Sequence, residues 1–292
     1  MSEAQKKITV CLCAYNAERF IAQAVESILA QTYTNWELYV VNDTSIDATA
    51  EIVKRYLGDP RVKLVNLEKN IGTYAAKNLV LKNFAAGEYW VHHDADDYSE
   101  PDRFEKQIAY LREQNLDGCG TAIDELYAPG LSPRIPSDAP LVYNKEDGYS
   151  HRVNVYPERV TLETVSVEIE KLPQLKITMN GSLFFKLDTI QALGGFDGHT
   201  HTGGDSDLLW RFSMWYAFGN MPDVLYHRRF HPDSLTQSAA TGWDSPRRKQ
   251  YAEKALAAHF KRVELLEQGL KEEAKKESTY DFFYPEVKFE VL

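Results

Sequence analysis

Asp94, Asp96 and Asp97 crowd the end of the apolar run Tyr89-Trp90-Val91, with His92 and His93 just before them. Carboxylates repel one another and are costly to strip of water, so such a cluster calls for a cation or a hydrogen-bonded turn to hold it. An Asp-x-Asp at a strand exit supplies hard oxygen donors for Mg²⁺ or Mn²⁺, and these ions readily take phosphate oxygens as co-ligands. The chemistry this suits is transfer on a diphosphate substrate. The other reading of the same residues is an acidic turn ahead of a helix opened by Pro101.

Repeated strand and helix patterns surround this cluster. Ile8 to Cys13, Trp36 to Val41, Val62 to Val65 and Tyr89 to Val91 read as buried strands. Between them, Phe20, Ile21, Val25, Ile28 and Leu29 recur at helical spacing, as do Ile52, Val53, Tyr56 and Leu57, and a third helix runs from Tyr74 to Phe84. Alternating units of this kind predict an α/β fold with a parallel sheet and ligands beyond the carboxyl ends of its strands. Polar residues stand at four such ends: Ala14-Tyr15-Asn16, Asn42-Asp43-Thr44-Ser45, Asn70-Ile71-Gly72 with Lys77 and Asn78, and the Asp94 cluster. Each alone is ordinary turn chemistry, whereas the four together describe a nucleotide pocket along one sheet edge.

The pattern loosens from Cys119 to Lys176. Pro129-Gly130, Ser132-Pro133, Ile135-Pro136 and Asp138-Ala139-Pro140 mark loop, and Val165, Val167 and Ile169 alternate as in a half-exposed strand. This region is expected to form a flap or an acceptor-binding wall. An ordered block resumes near Ile177, with Gly194-Gly195-Phe196-Asp197 and a helix from about Asp205 carrying Leu208, Leu209 and Phe212. After Ser245-Pro246, a charged helix carries Leu256, Phe260, Val263 and Leu270 on one stripe, which could dock on the domain, pair two copies or meet a membrane surface.

The 292 residues are 43% apolar, enough for one large domain with an appendage. With 33 basic against 43 acidic residues, a net charge of -10 argues against nucleic-acid binding. An anionic substrate would need a local cation. Cys11, Cys13 and Cys119 read as buried thiols of a reducing compartment. The polar stretch Met1 to Lys7 reads as lacking the apolar region of a signal peptide, and no run of about 18 apolar residues predicts a membrane span.

The motifs in their order resemble the family 2 glycosyltransferases, inverting enzymes with the GT-A fold: a Rossmann-like, mostly parallel central sheet flanked by helices. The resemblance rests on Thr9-Val10 through Tyr15-Asn16-Ala17-Glu18, Val41 to Asp47, Asn70-Ile71-Gly72 through Lys77-Asn78, and Asp94-Ala95-Asp96-Asp97. It continues through Gly194-Gly195-Phe196-Asp197 and Gly204-Asp205-Ser206-Asp207-Leu208, over roughly the first four-fifths of the chain. It implies a catalytic domain over 1–240, divided into a nucleotide-sugar half (1–118) and an acceptor half (119–240), with a helical extension over 241–292.

The resemblance also implies roles. Ala14, Tyr15, Asn16, Asp43, Asn70 and Gly72 would line the nucleotide, Asp43 as the base contact. Lys77 stands where the family usually has Arg, keeping the charge without the planar fork. Asp94 and Ala95 would meet the ribose or metal-bound water, Asp96 would ligate Mn²⁺ or Mg²⁺ directly, and Asp94 and His231 would complete the metal set. Arg228 or Arg229 would contact phosphate. Asp205 would be the general base, with Gly204 replacing the family's usual Glu and Asp207 as the fallback carboxylate. His92 and His93 would tune the metal site or pack, His199 and His201 would approach the acceptor, and Asn180 would meet a donor sugar hydroxyl. Trp210 and Trp215 would stack on sugar or fill the core.

The implied reaction moves a sugar from a nucleoside-diphosphate donor, UDP-linked, to a hydroxyl of a glycan or lipid-linked acceptor in surface polysaccharide synthesis. Its setting would be the cytoplasm, at or near the inner face of the membrane. Two alternatives stand beside it. A nucleotidyltransferase would show a Gly- and basic-rich phosphate loop where this chain has Ala14-Tyr15-Asn16-Ala17. A non-catalytic binding module of the same fold would hold the nucleotide without turnover.

Overall fold

The computed structural model describes residues 6–133, 139–165, 177–178 and 180–292. Four parallel strands come first: β1 (Ile8–Ala14), β2 (Trp36–Asn42), β3 (Val62–Leu67) and β4 (Tyr89–Asp94). Helices α1 (Ile21–Leu29), α2 (Thr49–Lys54) and α3 (Thr73–Asn83) connect them. Their order in the sheet is β3-β2-β1-β4, so β1 and β4 lie side by side with Cys13 opposite Asp94. Apolar residues on both faces of these strands feed two cores, one around Val10, Ile21 and Phe104, the other around Leu79, Trp90 and Phe196.

After β5 (Tyr98–Ser99), helix α4 (Arg103–Glu113) leads into β6 (Gly118–Tyr127). Pro101 lies ahead of α4, with Asp102 at its N-cap, rather than within the first turn. Then come β7 (Val142–Tyr143), β8 (Ser150–Asn154), β9 (Arg159–Val160), α5 (Leu162–Val165), β10 (Phe184–Lys186), α6 (Leu187–Ala192), α7 (Gly204–Trp215) and β11 (Phe218–Phe230). Strand β10 inserts antiparallel between β4 and β6, and β11 runs parallel to β6 with two register shifts between Met221 and Tyr226. Such bulges re-aim side chains, and β11 carries its last residues to the Asp94 turn. Val165 ends a short helix rather than opening a strand. Val167, Ile169, Ile135, Pro136 and Asp138 lie outside the described residues.

The tail is α8 (Pro246–Glu267), α9 (Lys271–Glu277) and β12 (Phe289–Val291). The apolar stripe of α8 is covered by this chain itself: Ala255, His259 and Val263 are buried, Leu256 and Phe260 pack half-buried on the second core, and His259 Nε2 lies 2.6 Å from the Val165 carbonyl. Leu270 falls beyond α8, at the N-cap of α9. The tail, expected to be only helical, also returns to the sheet. Tyr280 N–H donates to the Leu193 carbonyl, Phe282 N–H to Gly194, and β12 pairs antiparallel with β3. Among the described residues no helix is long and apolar enough to cross a membrane.

Candidate active site at the strand ends

Three of the four polar strand ends are knitted together by Asp43. Its N–H donates to the Ala14 carbonyl at 2.9 Å, and its two carboxylate oxygens accept from Ile71 and Gly72 N–H, both at 2.8 Å. Asn70 Nδ2 donates to the Asp43 carbonyl at 3.0 Å. Burial pushes the Asp43 carboxyl up, against the pull of those two N–H groups. The carboxylate expected to meet a base is thus already occupied by backbone, and its visible work is to shape the pocket floor. Gly72 has φ 83, and a Cβ there would strike the His201 ring, so the loop needs glycine on both counts. Asn16 holds the neighbouring loop: its Oδ1 accepts from Ile46 N–H at 2.9 Å and its N–H donates to Ser45 Oγ. Tyr15 stands exposed at the rim.

At the fourth end, Asp97 is the anchor of the acidic turn. It is buried and accepts from Tyr226 OH and Arg229 N–H, both at 2.8 Å. Burial and the charges of Asp96 and Asp94 push its carboxyl up. Asp94 and Asp96 stay accessible, with side chains 33% and 29% exposed, and Ala95 between them is buried. Lys77 reaches Asp94 from α3, Nζ to Oδ1 4.0 Å, and is only 1% exposed. Its ammonium has no hydrogen-bond partner among the described residues and lies over the rings of Tyr74 and Phe196. A buried, unpartnered cation beside a carboxylate is poised for an anion. Burial pushes the Asp94 carboxyl up, and Lys77 opposes it.

His231 follows β11 and places Nε2 3.0 Å from Asp96 Oδ2, with its ring tilted on Phe20. Its Nδ1 is buried without a partner among the described residues. Arg229, expected at a phosphate, braces the turn in this structure, donating to the Asp96 carbonyl at 2.7 Å and to Gln23. Arg228 is the neighbour whose charge acts on the carboxylates. Burial lowers its pKa, and the charges of Asp97, Glu125 and Asp94 outweigh that and raise it.

Asp205 lies in the first turn of α7, whose N-cap is Gly203, so it is not the capping residue. Tyr74 OH donates to Asp205 Oδ1 at 2.9 Å, and the other oxygen has no partner among the described residues. Tyr74 and Lys77 are one turn apart on α3, so the helix that holds Asp205 also reaches Asp94. Gly204 packs on Tyr74: a Cβ there would lie 3.0 Å from the ring, which explains the missing Glu. Asp207 cannot substitute for Asp205. It is 1% exposed and bound by Arg211 Nε at 2.8 Å and Arg262 Nη1 at 3.2 Å.

Several expected contacts resolve into packing. His92 Nε2 meets Asn180 Oδ1 at 2.6 Å, which also occupies the residue expected at a sugar hydroxyl. His93 bridges the Asp94 carbonyl and Ser99 Oγ, and burial pushes its pKa down to about 3. His199 stacks on Phe283, Trp210 is buried against His259, and Trp215 packs against the second core beside Lys275. Tyr74 was invisible as a site residue because a helix aromatic reads as core. No local signal separates the two.

Among the described residues no three His, Cys, Asp or Glu side chains are arranged to hold a metal ion. Asp96 and His231 nevertheless offer one carboxylate and one imidazole at a single point. That pair fits a hard divalent ion that takes its remaining ligands from diphosphate and water.

The profile of glycosyl transferase family 2 matches residues 9–157, just over half of the chain, and the chain belongs to that family. It is similar to the putative glycosyltransferase EpsE of Bacillus subtilis (strain 168), 38% identical over 138 residues, 44% of this chain and 49% of that one. It is also similar to the UDP-Glc:alpha-D-GlcNAc-diphosphoundecaprenol beta-1,3-glucosyltransferase WfgD of Escherichia coli, 36% identical over 109 residues, 37% of this chain and 42% of that one. The chain thus spans about half, 49% and 42%, of the length of these two curated relatives. Among solved structures, TarS 1-349 of S. aureus in complex with UDP superposes with TM-score 0.57 at 19% identity, over 88% of this chain and 71% of that one. Mannosyltransferase PcManGT from Pyrobaculum calidifontis, in complex with GDP-Man and Mn²⁺, gives TM-score 0.56 at 19% identity, over 90% and 75%. These likenesses establish the GT-A fold.

Proposed function

We propose that the protein is an inverting glycosyltransferase that moves a sugar from a nucleoside-diphosphate donor, UDP-linked, to a hydroxyl of a glycan or lipid-linked acceptor. The observation that carries this is that one helix, α3, links two groups: Tyr74 holds Asp205, and Lys77 one turn on reaches Asp94, beside the Asp96 and His231 pair. Ala14, Tyr15, Asn16, Asn70 and Gly72 form the nucleotide wall, and Lys77 beside Asp94 meets the phosphates. Asp96 and His231 would hold the divalent ion, with Asp94 beside them. Neutralising charge on the departing diphosphate is what a bound Mn²⁺ or Mg²⁺ supplies there.

Tyr74 fixes one oxygen of Asp205 and leaves the other to take a proton. The acceptor oxygen attacks the anomeric carbon as its proton passes to Asp205, and the bond from that carbon to the diphosphate oxygen breaks. Attack opposite the leaving group inverts the centre. The relative WfgD, named for a UDP-Glc donor and a diphosphoundecaprenol-linked acceptor, supports a UDP-linked donor and a lipid-linked acceptor in surface polysaccharide synthesis. The three free thiols suit a reducing, cytoplasmic setting.

The test is a panel of nucleotide sugars, scored by thermal stabilisation with and without Mn²⁺ and by nucleoside diphosphate release. One donor is expected to stabilise the protein more with Mn²⁺. Asp96→Ala removes the metal-dependent part. Undiminished Mn²⁺-dependent stabilisation in Asp96→Ala, or pyrophosphate as the product, would overturn the reading.

A further inference from the structure

The first turn of α8 breaks a local rule. Arg247, Arg248 and Lys249 follow Ser245 and Pro246 at the amino end of a 22-residue helix, with no acidic residue in that turn. Backbone N–H groups already make a helix amino terminus positive, so cations there are unfavourable and anions favourable.

The neighbourhood supplies a reason. Tyr251, one turn after Arg248, has its ring 3.2 Å from where a Cβ on Gly203 would stand, so this end of α8 covers the start of α7. Arg248 is itself held in place. Its N–H donates to Ser245 Oγ, its Nε to the Thr241 carbonyl at 2.8 Å, and its guanidinium lies 4.8 Å from the Trp243 ring centroid. Its two Nη groups have no partner among the described residues. Burial lowers the Arg248 pKa, and the charges acting on it come from Tyr74, Asp205 and Arg228. Arg248 lies one turn before Tyr251, whose ring covers Gly203, two residues ahead of the proposed base, while Lys77 serves the Asp94 side. A guanidinium whose fork is free, half-buried and fixed through Nε presents two donors to a planar or tetrahedral oxyanion.

We propose that Arg248 is a specificity-determining residue that binds an anionic group, phosphate or carboxylate, carried by the acceptor near the hydroxyl that attacks. This rests on Asp205 being the base of the proposed transfer. It assigns acceptor choice to a segment beyond residues 9–157, the part that matches the family profile.

The test titrates full-length protein, saturated with UDP and Mn²⁺, with octyl glucoside, octyl glucoside 6-phosphate and octyl glucuronide, read by tryptophan fluorescence. The wild type is expected to bind one or both charged probes roughly tenfold or more tighter than the neutral one. Arg248→Gln should erase that preference and Arg248→Lys keep part of it, with UDP affinity unchanged in both. The tighter of the two charged probes names the anion. No charge preference in the wild type, a preference that survives Arg248→Gln, or a fall in UDP affinity would each overturn the assignment. Melting curves of both variants check folding, and Arg248→Lys keeps the test decisive if Arg248→Gln is unstable. Absence of UDP binding by the wild type would instead sink the UDP-linked donor of the proposed transfer, and the same probes without nucleotide would still test Arg248.

Discussion

Replacing Asp207 and Asp205 separately distinguishes a structural carboxylate from a chemical one. Asp207 accepts from Arg211 Nε at 2.8 Å, Arg262 Nη1 at 3.2 Å and Tyr280 OH at 3.2 Å, and both arginines are buried with it. Arg211 also donates to the carbonyls of Leu193, Gly195 and Ser278, so it cannot leave without unseating the tail. Asp207→Ala strands two buried guanidinium charges. Breaking a buried ion pair from one side costs about 3–5 kcal/mol, which at about 2–4 °C per kcal/mol is a drop in Tm of roughly 6–20 °C. Burial alone would raise the Asp207 pKa, and the charges of Arg211 and Arg262 outweigh it and hold the carboxyl low. Its stabilisation is therefore present above the unfolded value of about 3.9 and lost as pH falls through the lower folded value. The Tm gap between wild type and Asp207→Ala should narrow on acidification below about pH 4. Asp205→Asn keeps an acceptor for Tyr74, so Tm should change little while transfer falls by about 10² to 10⁴. Differential scanning calorimetry alongside a transfer assay reads both. An Asp207→Ala protein that melts like wild type, or an Asp205→Asn protein that transfers normally, would refute the division of roles.

Three further outcomes follow from the same geometry. Gly204→Glu restores the family's usual residue but drives its Cβ toward Tyr74 and Thr200. It should cost about 1–3 kcal/mol and lower kcat roughly tenfold to a hundredfold by shifting Asp205, and wild-type kcat would contradict the packing. Gly194→Ala places a methyl on the Tyr280 carbonyl at φ 69, so limited proteolysis should cut the tail beyond Ser278 faster; equal rates would show that the tail does not depend on this contact. His151 touches Asp124 and Asp147, both at 2.7 Å. Burial lowers its pKa, and the two carboxylates win and raise it. Its contribution to stability is full below the unfolded value of about 6.5 and lost as pH rises through the higher folded value, so His151→Gln should flatten the fall of Tm over that range. An unchanged slope would remove His151 as the cause.

The strand ends were readable because each follows a buried apolar run, and in a parallel sheet those ends share one edge. Asp94, Asp96 and Lys77 are accordingly brought together. Other features were not readable. Arg229 and Arg228 are adjacent on β11, and alternation along the strand sends one into the Asp96 turn and leaves the other facing the acids. Nothing in Phe289-Glu290-Val291 announces an edge strand, since its pairing depends on where β3 lies.

Chain order and residue type were enough to establish the α/β class, the acidic turn after the fourth strand and the candidate base, because those signals are local and periodic. They left undecided which of Asp205 and Asp207 faces the cleft. Two residues apart on a helix point to opposite sides, and which side is interior depends on Arg262 and Tyr280, 55 and 73 positions further on. Only folding brings those partners together, and with them comes Arg248 beside the site. The identity of a side chain sets what it can do, and the company assembled by packing sets what it does.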